Sequence, residues 1–218
     1  MSGPHQNQPL VTAGASLKDA EAAAVLVHGR GATAESIVRM AEAFPRERVA
    51  YLAPQAARNT WYPNPFTAPA ESNEPGRSSG LQAIDTAVGE AVDAGIPIDR
   101  VLVLGFSQGA CLASEYVARN PRRYGGLAVL SGGLLGEAID VEAYAGDLDG
   151  TPVFLGCSDV DPHIAAERVH ETAAVFERLN ADVTKHLYEG MGHGVNDDER
   201  EFVRGMIEDL LTGSSTQR

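Results

Sequence analysis

Short apolar runs alternate along this chain with longer stretches of helical period. Residues 23–28 (Ala-Ala-Val-Leu-Val-His), 48–53, 101–104, 126–130, 152–155 and 183–188 are each too short for a buried helix and rich in branched or small apolar side chains, which predicts strands. Helices are expected between them. Thr33 is placed to cap one running to Phe44, with Glu35 in its first turn. Residues 78–94 place Leu81, Ile84, Ala87, Val88 and Val92 near a 3.6 spacing, and 108–119, 165–179 and 199–211 read as three further helices. Two segments lack a period: 54–76, which carries five prolines and Trp61-Tyr62, and 131–150, which has room for one short helix. Strands alternating with helices predict one α/β domain with a mostly parallel, doubly wound sheet, its working residues beyond the carboxyl ends of the strands. Residues 1–9 are polar and predict a flexible N-terminal segment.

The end of the 101–104 strand is the most specific place in the sequence. Gly105-Phe106-Ser107-Gln108-Gly109 follows it at once and leads into an alanine-rich helix. A serine in a tight strand-to-helix turn needs small residues two positions before and after it, and both are glycine here. The five-residue pattern recurs by chance in glycine-rich chains. Its strand–turn–helix setting is what makes Ser107 a candidate nucleophile.

A serine hydroxyl needs a base. His193, in Gly190-Met-Gly-His-Gly194, follows the last strand and precedes the last helix, giving the order serine, acid, histidine. The acid belongs in the loop after the preceding strand, where Gly156-Cys-Ser-Asp-Val-Asp-Pro-His163 offers Asp159 and Asp161. Asp159, nearer the strand end, is the preferred partner of His193, leaving Asp161 to cap the turn at Pro162. Two backbone N–H groups should meet the developing oxyanion. These are Gln108, directly after the nucleophile, and Arg30, in the His28-Gly-Arg-Gly31 loop. His28 reads mainly as a brace of that loop. With Trp61 and Tyr62, which either plug the core or form one side of an acyl pocket, it is a candidate lining residue of the substrate site.

Composition narrows the partners. The formal charge is −13, with two lysines (Lys18 and Lys185) against fifteen arginines, so nucleic acid and anionic membranes are disfavoured. Acidity with scarce lysine also suits a salt-rich, halophilic cytosol. The N-terminus has neither the basic start nor the apolar core of a signal peptide, and no apolar run reaches membrane-spanning length, which predicts a cytoplasmic protein, monomeric or homodimeric. Cys111 and Cys157 read as two buried thiols rather than a disulfide. No metal is expected, because His163, His170, Asp159 and Asp161 lack ligand spacing, and no cofactor, because Gly29 and Gly31 do not complete a dinucleotide fingerprint.

These pieces together resemble the phospholipase/carboxylesterase family of α/β-hydrolases, which includes acyl-protein thioesterases. The resemblance rests on His28-Gly29-x-Gly31, Trp61-Tyr62, Gly105-Phe-Ser-Gln-Gly-Ala110, Gly156-x-x-Asp159 and Gly192-His193. It implies a compact serine esterase with Ser107 as nucleophile, Asp159 as acid, His193 as base, and oxyanion donors at Arg30 and Gln108. One departure concerns the acid. The family places it in Gly-x-x-Asp-Pro-x-Val-Pro, and here Asp159 keeps the spacing from Gly156 while Asp161 keeps the proline. Another concerns substrate: the 54–76 and 131–150 segments are polar and poor in aliphatics, which favours small esters over long acyl chains.

Overall fold

A computed structural model describes residues 3–212. Seven strands form one sheet: β1 (Leu10–Gly14), β2 (Ala22–Val27), β3 (Val49–Pro54), β4 (Val101–Phe106), β5 (Gly126–Leu130), β6 (Pro152–Ser158) and β7 (Asp182–Tyr188). Their spatial order is β1-β3-β2-β4-β5-β6-β7, parallel throughout except for β1, which pairs antiparallel with β3 at one edge. Among the described residues four α-helices connect strands, α1 (Ala34–Met40), α2 (Gly76–Asp93), α3 (Gln108–Arg119) and α4 (Ala166–Arg178), and α5 (Asp197–Thr212) follows the last strand. The α/β-hydrolase architecture expected from the sequence is present.

The apolar runs are continuous because the inner strands are covered on both faces. Along β2 and β4, Val25, Val27, Val101 and Val103 point to the side packed by α2, α3 and α4. Their alternates Ala24, Leu26, Leu102 and Leu104 face α1 and α5, through Ile37, Val203 and Ile207. Thr33 caps α1 as expected, its side chain accepting from the Ser36 N–H.

Two elements depart from expectation. β1 is not visible as a hydrophobic run because it is a half-covered edge strand. The N-terminal segment is not loose where it is described. His5 is 4% exposed, its backbone N–H donates to Ser79 Oγ (2.9 Å), and Gln6 Nε2 donates to Ser79 O (2.8 Å). Residues 1–2 lie outside the described part.

The glycines around Ser107 are required by contact. A β-carbon on Gly105 would lie 2.3 Å from Gly109 O, and one on Gly109 would lie 2.1 Å from Val27 O. Helix α3 therefore starts directly against the end of β2. Gly109→Ala is expected to lower stability by about 1–3 kcal/mol or more through overpacking. A urea midpoint equal to the parent's would show that the packing is looser than this.

Candidate active site

Ser107 sits at the β4–α3 turn with φ 55° and ψ −121°, a conformation outside the ordinary allowed regions for a residue with a side chain. The turn is pinned on both sides. Ser107 N–H donates to Leu130 O (2.9 Å) and Ser107 O accepts from Cys111 N–H (3.0 Å). The strain aims the hydroxyl away from the sheet, toward the loop that follows β7.

On that loop, His193 Nε2 lies 2.9 Å from Ser107 Oγ, and His193 Nδ1 lies 2.7 Å from Asp161 Oδ2. A carboxylate on Nδ1 requires the Nδ1–H tautomer, which leaves Nε2 free to accept the serine proton. The carboxylate that meets His193 is thus Asp161, where the sequence reading expects Asp159. Strand β6 runs to Ser158, three residues beyond the predicted end, and pairs there with Tyr188. Asp159 is left at the β6–β7 mouth, where its Oδ1 accepts the Gly190 N–H (2.8 Å). The chain then turns, and Asp161 swings under His193.

Asp161 combines two tasks that the sequence seemed to divide. Its Oδ1 accepts the N–H groups of His163 (2.8 Å) and Ile164 (3.1 Å), closing the turn at Pro162, while Oδ2 serves His193. Burial raises its pKa, but the bonds from His193, His163 and Ile164 outweigh that, so the carboxyl stays below its ordinary range and ionised. Beneath it, Cys157 Sγ lies 3.8 Å from Oδ2. Burial and the neighbouring carboxylate push this thiol up to about 12, so it is a neutral donor.

The histidine loop is tied at several points besides Gly190. Gly192 N–H donates to Ser158 Oγ (3.0 Å) and Ser131 Oγ donates to Gly194 O (3.1 Å). Asn196 and Glu199 then exchange backbone-to-side-chain bonds of 2.8 Å at the start of α5. Glu199 is fully buried, with Oε1 unpartnered and packed where a Gly156 side chain would otherwise sit. Burial pushes its carboxyl up to about 7.

The other side of Ser107 is formed by the loop after β2. A β-carbon on Gly29 would lie 3.4 Å from Ser107 Cβ, so this loop passes directly beside the nucleophile. Gly31 N–H is committed to Asn59 O (2.7 Å). Arg30 turns its guanidinium away to the carbonyls of Tyr62 (2.8 Å), Asn64 (3.1 Å) and Pro63 (3.2 Å). Gln108 opens α3, where the first-turn N–H groups lack intrahelical acceptors.

Trp61, Tyr62 and His28 do not line an open pocket. They are 0%, 2% and 0% exposed, and their polar groups form a brace behind this loop. Gln108 Oε1 accepts the Trp61 N–H (2.9 Å) and Gln108 Nε2 donates to Tyr62 O (2.8 Å). Trp61 Nε1 donates to His28 O (2.8 Å). His28 Nδ1 donates to Gly29 O (2.8 Å), while Nε2 accepts the Ala56 N–H (3.1 Å), fixing a neutral ring. Sequence reasoning singled out these residues but could not tell a pocket wall from a brace. It missed Arg168, which donates to Leu134 O (2.7 Å) and Gly136 O (2.9 Å) and holds the loop after β5. A buried arginine on a helix carries no sequence signal of that task.

His5 and His28 both accept from backbone amides, and both are held below the ordinary imidazole range by burial. Their neutral forms contribute stability fully above about pH 6.5, and this is lost as pH falls through the lowered folded values. Trp61, the only tryptophan, touches both rings. Its emission is therefore expected to change, and the urea midpoint to fall, on acidification below that range. A flat response of both from pH 7.5 to 5 would contradict the neutral-ring arrangement.

A strained serine hydroxyl, bonded to an imidazole that a carboxylate orients at the carboxyl edge of a parallel sheet, defines a serine hydrolase of the α/β kind. The Phospholipase/Carboxylesterase family profile matches residues 11–211, and the chain belongs to that family. It is 26% identical to an acyl-protein thioesterase 1 of Debaryomyces hansenii, over 93% of this chain and 97% of that one. It is 37% identical to a phospholipase/carboxylesterase from Dyadobacter fermentans of known structure, with a TM-score of 0.90 covering 95% of this chain and 100% of the other. A Bacillus cereus carboxylesterase shares the fold at a TM-score of 0.72 and 18% identity, over 94% and 95% of the two chains. The protein is an enzyme of the carboxylic-ester hydrolase type.

Proposed function

We propose that this enzyme hydrolyses small or short-chain carboxylic esters through an acyl-enzyme formed on Ser107. The observation that carries the reading is the continuous Asp161–His193–Ser107 chain of 2.7 and 2.9 Å contacts. His193 Nε2 takes the Ser107 proton as Oγ bonds to the ester carbonyl carbon. The resulting oxyanion is received by the N–H groups of Arg30 and Gln108. As the tetrahedral centre collapses, the bond to the leaving oxygen breaks and His193 returns the proton to the departing alcohol. A water then gives a proton to His193 as its oxygen bonds to the acyl carbon, and when that centre collapses the bond to Oγ breaks and His193 returns the proton to Oγ, freeing the acid and Ser107. Asp161 stabilises the imidazolium at each stage.

The short-chain preference draws on two features. In the loops at 54–76 and 131–150 the leucines Leu134, Leu135 and Leu148 are buried, and the large aromatic side chains Trp61 and Tyr62 are consumed by the brace rather than presented to substrate. A second reading, a thioesterase or lysophospholipase acting on longer acyl chains, is favoured by the thioesterase name of the Debaryomyces relative. Rates on p-nitrophenyl esters from C2 to C16 separate them. An optimum at C2–C6 is expected, and an optimum at C12 or longer would replace the first reading with the second.

A further inference from the structure

We propose that His5, delivered by the N-terminal segment, is a positioning residue for the oxyanion site, acting through Trp61 and His28 on the peptide that carries the Arg30 N–H. This rests on the reading of that amide as an oxyanion donor. The carbonyl bonded by His28 Nδ1 is Gly29 O (2.8 Å), and Gly29 O and Arg30 N–H belong to one peptide unit. Whatever fixes the His28 ring therefore fixes the plane, and polarises the N–H, of the amide beside Ser107.

Two restraints hold His28, and His5 supports both. The first is the Ala56 N–H, donated to His28 Nε2 (3.1 Å). The very next amide, Ala57 N–H, is donated to His5 Nδ1 (3.0 Å), so two imidazoles share one turn of backbone. The second is the indole of Trp61, which donates to His28 O. That indole touches both rings, its centroid 5.2 Å from His5 in an edge-on contact and 5.0 Å from His28 in a tilted one. His5 Nε2 in turn donates to Trp61 O (2.9 Å). The main chain of Trp61 and Tyr62 also grips the Gln108 side chain, so both residues proposed as oxyanion donors are tied to the same buried segment. Without His5, Ala57 N–H and Trp61 O would lose their partners in the interior and the indole would lose one of its two ring contacts. The shift at Gly29–Arg30 need be only a fraction of an ångström to matter, because donor placement acts on the transition state rather than on substrate binding.

The test compares His5→Phe, which keeps a ring but no hydrogen bonds, with His5→Asn, which keeps an acceptor near the place of Nδ1. Rates are normalised to active sites titrated with a fluorophosphonate, so that misfolded protein does not count. His5→Phe is expected to lower kcat per titrated site by about 5–30-fold with KM within about twofold. It should weaken a trifluoromethyl ketone, whose adduct with Ser107 bears the oxyanion, by the same factor. His5→Asn should fall between parent and His5→Phe in both. If kcat per site and ketone affinity are unchanged while only the titratable fraction or Tm falls, His5 is merely structural and the proposal is overturned. Should His5→Phe yield no titratable sites, His5→Asn against the parent carries the same comparison. Parent enzyme that fails to label, or Ser107→Ala that remains active, would instead defeat the underlying serine mechanism.

Discussion

Ser107→Ala is expected to lower kcat on p-nitrophenyl acetate by about 10³–10⁶-fold while leaving the fold intact. Without Oγ no acyl-enzyme forms, and only the oxyanion donors and substrate binding remain to assist water. The strained backbone at this position tolerates alanine no worse than serine, since both carry one β-carbon. A loss in rate with unchanged unfolding midpoint is therefore the expected pair of results. Undiminished turnover would remove the nucleophile from the mechanism.

Asp161→Asn should cost about 10³–10⁴-fold in kcat, far more than Asp159→Asn, which is expected to stay within about tenfold of the parent. Asparagine at 161 removes the charge that stabilises the imidazolium. It also presents an amide that favours the wrong tautomer of His193. Its remaining oxygen can still close the turn through the His163 and Ile164 N–H groups, so the loop should survive. At 159 the change touches the Gly190 N–H on an exposed carboxylate, and asparagine's oxygen can accept the same bond. Steady-state kinetics with circular dichroism on both variants decide the matter, and a larger loss at 159 would reverse the assignment.

The contrast between these two aspartates shows what the sequence could and could not carry. Ser107 and His193 were legible because each is marked by local chemistry: glycines at fixed offsets around a strained turn, and a glycine-rich loop after the last strand. The carboxylate that contacts His193 was not, because its identity depends on where β6 stops pairing with β7. Three further paired residues move the loop's origin and exchange the places expected for Asp159 and Asp161. The proline that follows Asp161 was the better signal, since it marks the turn that presents the carboxylate. Similar reasoning applies to the edge. Leu10–Gly14 has only a partly covered, alternating surface, so its pairing with β3 is decided by tertiary contact. His5 sits among polar residues with no period. Its burial follows from a cleft formed by residues far along the chain, Ala57, Trp61 and Ser79, which local patterning cannot show.

Glu199 has a consequence for how the enzyme meets changing acidity. A carboxyl raised to about 7 keeps its proton in the native state where the unfolded chain would release it. Its burial costs nothing below about pH 4.5 and weighs increasingly against folding as pH climbs to about 7, beyond which the cost is constant. The two histidines that touch Trp61 lean the other way, favouring the native state as pH rises toward 6.5. Two opposed proton linkages, one behind each flank of the nucleophile, thus overlap in mildly acidic solution, the carboxyl tempering the loss that protonation of the two rings brings.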